Sequence, residues 1–289
     1  MRKRGAWLAA AWLFSAGLLA AQEGRPAVIA ALSAGRAAAE LRALAAGSAT
    51  PEGFLLPPFQ VRLGDPPAWE SCLETQGLIR ELFPGTDQVW LRLALAPPAP
   101  GAASKEIEDQ VRLLTEDMVG HLAPPLAGIV LEPAADVPAD LLKLLTVSLS
   151  VALKTGGKTV QMALPCRAAD RLGLTIATHI DRIMVETETD WRPALRHLAE
   201  LKILPPTLWV CRGDQNRSGG ELYLETMLAA VKYRADMIAL WPGPPEKVAD
   251  LMAAADRLRS KIGSESSILV DDVPLFRLED KAGNRPPQA

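Results

Sequence analysis

The chain reads as a (β/α)8 barrel, an α/β fold in a single domain, and three observations carry that reading. Short apolar runs alternate with segments of helical period along nearly the whole chain. The central runs are continuously apolar, as strands covered on both faces should be. Pro and Gly fall at the joints between them.

The first 21 residues stand apart. Arg2, Lys3 and Arg4 precede the apolar run AWLAAAWLFSAGLLA, which ends in small residues. This is the pattern of a secretory signal peptide, with cleavage after Ala20 or Ala21. A retained anchor is the alternative, but about 15 apolar residues fall short of the roughly 20 that span a bilayer. No Cys follows the cleavage point, which argues against a lipoprotein. The expectation is a protein that is secreted or periplasmic, with no stable membrane span once the signal is removed.

Residues 22–272 are then expected to form the barrel, and 273–289 a polar tail. The helical segments are 69–83, 104–122, 138–156, 191–203, 221–234 and 244–262. Their apolar residues recur three or four apart, so each buries one stripe. Ser104 and Pro138 suit helix starts. The strand candidates are FQVRL (59–63), QVWLRLAL (88–95), AGIVLEP (127–133), KTVQMALP (158–165), IDRIMVE (180–186), TLWVCR (207–212), DMIALW (236–241) and SILVDD (267–272). A strand–helix–strand order implies parallel pairing, because only a crossover returns the chain to the same end of the sheet. An open doubly wound sheet is the rival, but no glycine-rich phosphate loop follows any strand.

The strand register has two solutions. GRPAVIAAL (24–32) is either the first barrel strand, followed by a helix over 33–47, or part of one Ala-rich helix before the barrel. In the first case DMIALW closes the barrel and SILVDD lies outside it. In the second SILVDD is the eighth strand.

Composition excludes several functions. Without the signal the chain has 28 Lys+Arg and 34 Asp+Glu, a formal charge of −6, and no basic stripe. Nucleic acid is therefore not an expected partner. Cys72, Cys166 and Cys211 form at most one internal disulfide and fit no zinc spacing, so neither metal nor other cofactor is expected. Cys211 beside Arg212 has the charge setting of an activated thiol, yet none of the three histidines stands where it would serve as its base.

In a parallel barrel the loops after the strands gather at one face and carry the site. The strand ends there present Glu132, Cys166, Glu186, Arg212, Trp241 and Asp271/Asp272. Two carboxylates converging on one cavity are what glycosidic cleavage requires, one as acid and one as base or nucleophile. Glu132 and Glu186 are the best-placed pair. A solvated loop acid is the alternative for each, most of all for Glu186, which opens the acidic stretch ETETD. Trp191 and Trp241 are candidate stacking surfaces for a sugar ring, although a rim Trp equally serves to cap the core. Aromatic content is low, at 5%, which weighs against a long sugar cleft.

From Ser104 to Trp241 the chain resembles the second half of the clan A glycoside hydrolase barrels, the β-xylosidase-like and cellulase-like families. Leu131-Glu132-Pro133 is similar to their Asn-Glu-Pro at the end of strand four, with the Asn lost. Ile180 to Glu186 is similar to their strand six, PTLWVCRGD to their strand seven, and Trp241 to the sugar platform at the end of strand eight. The resemblance implies an oligosaccharide or polysaccharide partner. It places Glu132 as general acid, with Glu186 or a nearby Asp as a non-standard base. It makes Trp241 a sugar-binding residue, beside which Arg212, Asp214 and Trp191 are the further candidate binding residues. It also sets Arg212 where the family has its nucleophilic Glu, and a guanidinium neither attacks an anomeric carbon nor takes up a proton. Arg212 paired with Glu132 would further disable the acid. The expectation is a carbohydrate binder that has lost the retaining pair. The alternatives are an active hydrolase built on Glu132, and an envelope scaffold unrelated to carbohydrate.

Overall fold

The computed structural model describes residues 27–47, 50–65, 67, 69–98, 104–121, 126–155, 160–173, 179–186, 191–200, 206–212, 235–241, 267–270 and 273–277. The signal-peptide reading and the expected helices over 221–234 and 244–262 lie outside these residues.

The elements in chain order are β1 (Ala27–Ala31), α1 (Ala37–Ala46), β2 (Gly53–Val61), α2 (Glu70–Leu82), β3 (Gln88–Leu95), α3 (Ser104–His121), β4 (Leu126–Pro133), α4 (Ala139–Thr155), β5 (Gln161–Pro165), α5 (Cys166–Leu172), β6 (Arg182–Glu186), α6 (Arg192–Glu200), β7 (Thr207–Arg212) and β8 (Ala235–Trp241). All eight strands pair in parallel in sequence order, and β8 returns to β1 to close the barrel. Ala27–Ala31 is therefore the first strand, the first of the two register solutions. SILV belongs to a separate antiparallel pair, β9 (Ser267–Val270) with β10 (Val273–Arg277). That pair occupies the place where the sequence reading put the end of the barrel and the start of a polar tail.

Two cores follow from the period-two alternation of strand side chains. Ile29, Leu55, Trp90, Val130, Met184 and Val210 point into the barrel and meet there. Their neighbours Val89, Leu91, Ile129, Leu131, Ile183 and Val185 point outward into the layer beneath the helices, with Leu41, Ile79, Leu142, Leu145 and Leu195 among the helical residues of that layer. Trp90 is the largest side chain inside. Arg182 at the start of β6 sets its guanidinium 5.4 Å from the Trp90 ring centroid. The same guanidinium donates to Gln161 at 2.7 Å and pairs with Asp236 on β8. These polar contacts lie at the strands' N-terminal ends, the end that serves stability in such barrels.

Candidate functional site

The barrel interior changes character at its other end, and the alternation says which residues make the change. Two positions beyond Trp90, Val130 and Met184 stand Arg92, Glu132 and Glu186. Each has the same inward parity as the apolar residue before it. Arg92 is the conspicuous member, a charged side chain only 2% exposed in a strand that is apolar apart from it and Gln88 at the start. A buried cation is tolerated only if paired and hydrogen-bonded, and this one is. Its Nε donates to Glu132 Oε1 at 2.5 Å, and its Nη2 donates to Glu132 Oε2 at 3.0 Å. The same Nη2 donates to Glu186 Oε1 at 3.1 Å. The planar guanidinium thus grips one carboxylate with two parallel bonds and tethers a second. Glu132 and Glu186 are 17% and 27% exposed, so their far sides reach toward the open face.

The structure therefore brings together the two carboxylates that the sequence singled out. Their oxygens share one donor nitrogen, so Glu132 Oε2 and Glu186 Oε1 lie no more than about 6 Å apart. The side chain that joins them is one the sequence reading missed. A signal was present: Arg92 sits in the middle of QVWLRLAL, a strand whose other residues suit burial on both faces.

The remaining candidates are described only in part. Arg212 ends β7 in register with Trp241 at the end of β8; the side chains of both, and all of Asp214, lie outside the described residues. Among the described residues, the guanidinium on Glu132 is that of Arg92. Trp191 is 9% exposed and belongs to the layer beneath the helices. It meets Trp209 edge-on at 4.9 Å, with the Arg192 guanidinium 5.2 Å over its ring. Its area is used in packing.

Cys166 opens α5 directly after Pro165 and is 2% exposed. Burial is the main cause that pushes its thiol up to about 11, opposed by the backbone N–H and charge of Arg167 and reinforced by the charges of Asp170 and Glu186. It is a neutral core thiol at pH 7. The folded value is the raised one, so its contribution to stability is complete below the ordinary value of 9.0. That contribution is lost as pH climbs toward 11. Cys166→Ala should flatten the alkaline arm of a pH–stability curve by about 2 kcal/mol at its upper end. An unchanged alkaline arm in urea titrations would refute this.

Among the described residues no group of three or more His, Cys, Asp or Glu side chains is arranged to hold a metal ion, and no helix is long and apolar enough to cross a membrane.

With this geometry in view, the solved structures that resemble the chain become informative. Concanavalin B matches with a TM-score of 0.56 at 15% identity, over 82% of this chain and 99% of that one. Active domain 2 of a thermostable chitinase from Pyrococcus furiosus, as catalytic-site mutants complexed with chito-oligosaccharides, matches with a TM-score of 0.55 at 13% identity, over 83% and 97%. An endo-β1,6-glucanase matches with a TM-score of 0.55 at 10% identity, over 75% and 66%. No protein-family model and no curated protein sequence matches the chain. The fold that the solved structures share with this chain is the (β/α)8 barrel. At these identities the likeness concerns architecture, and the chemistry has to be argued from the residues.

Proposed function

We propose that this barrel recognises carbohydrate at the open face around Arg92, Glu132 and Glu186, and that it does so without the ordinary two-carboxylate cleavage. The observation that carries the second half is the guanidinium standing between the two acids. A general acid has to present an O–H to the leaving oxygen, and a base or nucleophile has to present a free lone pair. Both oxygens of Glu132 instead face N–H donors of Arg92, and Glu186 is held by the same group. Such a fixed array of acceptors and donors suits sugar hydroxyls, which are donors and acceptors at once. The first half is supported by the architecture shared with the chitinase domain and the glucanase. Export from the cytoplasm, read from the leader, agrees with an extracellular glycan as ligand.

One observation favours a second reading, an active hydrolase. The carboxylate oxygens are within about 6 Å of each other, near the roughly 5–5.5 Å carboxyl separation of retaining enzymes. In that reading Arg92 would have to release Glu132 when substrate binds.

The two are separated by offering wild type and Glu132→Gln a panel led by chito-oligosaccharides and β1,6-gluco-oligosaccharides, scoring reducing ends and thermal shift. Recognition without cleavage predicts a shift with no turnover in either protein, and a smaller shift in Glu132→Gln. Turnover in wild type that falls at least roughly a hundredfold in the variant would establish hydrolysis instead. A wide panel with neither response would leave an envelope scaffold as the reading to pursue.

A further inference from the structure

Outside the barrel interior, the described helices leave a gap. α1 packs on α2, α3 on α4 and α5 on α6, whereas α2 and α3 are not packed closely on one another. Between them lies a cleft of about 600 Å³, formed by the segment after β2, the start of α2 and one face of α3. That volume falls within the range of small-molecule sites, roughly 300–1,000 Å³.

The cleft has a rigid back wall. Trp69 is 7% exposed. Phe59 stacks on it at 4.9 Å and His121 at 5.4 Å, with ring planes 17° and 14° from parallel. Its indole N–H donates to Asp117 at 2.7 Å, which removes the remaining freedom of the ring. The sides are apolar and open: Leu73 is 40% and Leu113 55% exposed, and with Val151 they are the only exposed large apolar side chains among the described residues. Two of three such side chains lining one preformed cleft is a concentration that scattered surface leucines do not produce.

The charges around the cleft choose the ligand. Asp65, Glu70 and Arg62 line it, and none of the three has an ion-pair partner among the described residues. Two uncommitted carboxylates against one guanidinium leave the rim negative, with the Asp117 carboxylate adding to the same sign. We propose that this cleft, whose lining includes none of Arg92, Glu132 and Glu186, is a second binding site, for a small amphiphile with an apolar body and a single ammonium group. The apolar body lies between Leu73, Leu113 and the edge of Trp69. The ammonium meets Asp65 and Glu70, and an anion of the same shape meets the wrong field.

The test uses the mature chain and three probes of one shape, 4-phenylbutylammonium, 4-phenylbutanol and 4-phenylbutyrate, followed by calorimetry. The ammonium should bind at least about tenfold more tightly than either of the others, the equivalent of one well-placed charge contact. Asp65→Asn with Glu70→Gln should abolish that preference, and Leu113→Arg should remove binding of all three. Glu132→Gln, in the Arg92 cluster, should leave the affinity for all three probes unchanged. Should Leu113→Arg fail to fold, Leu73→Arg on the facing helix asks the same question. Equal binding of the three probes, binding untouched by both arginine substitutions, or no binding of the ammonium at millimolar concentration would each overturn the assignment.

Discussion

Arg92→Met should destabilise the protein by about 3 kcal/mol and should be the most damaging single replacement at the barrel mouth. Removing one partner from a buried ion pair typically costs 3–5 kcal/mol, because the charge left behind is uncompensated. Here two carboxylates are left, within about 6 Å of each other. Their partial exposure, 17% and 27%, lets water soften the loss and puts the expectation at the low end. Arg92→Lys keeps the charge but not the planar fork that grips Glu132, so it should fall between, at roughly 1–2 kcal/mol. The decisive variant is triple: Arg92→Met with Glu132→Gln and Glu186→Gln. With the stranded charges gone, most of the stability should return, as it does when buried ionic groups are replaced together. Urea unfolding of the three variants measures this. A single variant within 1 kcal/mol of wild type, or a triple variant no better than the single, would mean that Arg92 is not what holds the two acids.

What could be read from the sequence divides along physical lines. The ends of β3 and β7 match their expected limits, because both are apolar runs bounded by turn residues. β2 begins at Gly53, six residues before the expected FQVRL, because Pro57-Pro58 reads as a break. The strand takes up that break as a register shift between Leu55 and Pro58 on the β3 side, an irregularity of the kind where Pro is tolerated. α5 has seven residues and follows Pro165 without a side-chain cap, so too little periodicity exists to detect it. At the site, Glu132 and Glu186 were legible because each follows an apolar strand. Arg92 is harder to read because it lies three residues inside its strand, away from the strand ends where a barrel gathers its chemistry. Its partners are 40 and 94 residues away in the chain. A buried cation announces that it needs a counter-charge; only the closed barrel says which carboxylates supply it.

The lower half of the barrel makes an equally sharp prediction, that Gly128→Ala costs about 3 kcal/mol although it adds one methyl group. Gly128 on β4 is in register with Trp90 on β3. A Cβ at 128 would fall 2.2 Å from Trp90 Cζ3 and 2.6 Å from Cη2. Nothing about the backbone at 128 is at issue; the constraint is the indole lying over it. The ring has little room to retreat. It is fully buried among the inward side chains of neighbouring strands, with Arg182 over its face. Overpacking of a filled core costs about 1–3 kcal/mol when neighbours can adjust, and a clash with a rigid ring belongs at the top of that range. For a domain of this size the melting temperature should fall by roughly 6–12 °C. Trp90→Leu alone should also destabilise, by about 3 kcal/mol, through the space it empties. In combination the two should cost clearly less than their sum, since the methyl group then occupies room the indole has vacated. Strict additivity would place the indole elsewhere, and with it the layer on which Arg92 and the two acids rest.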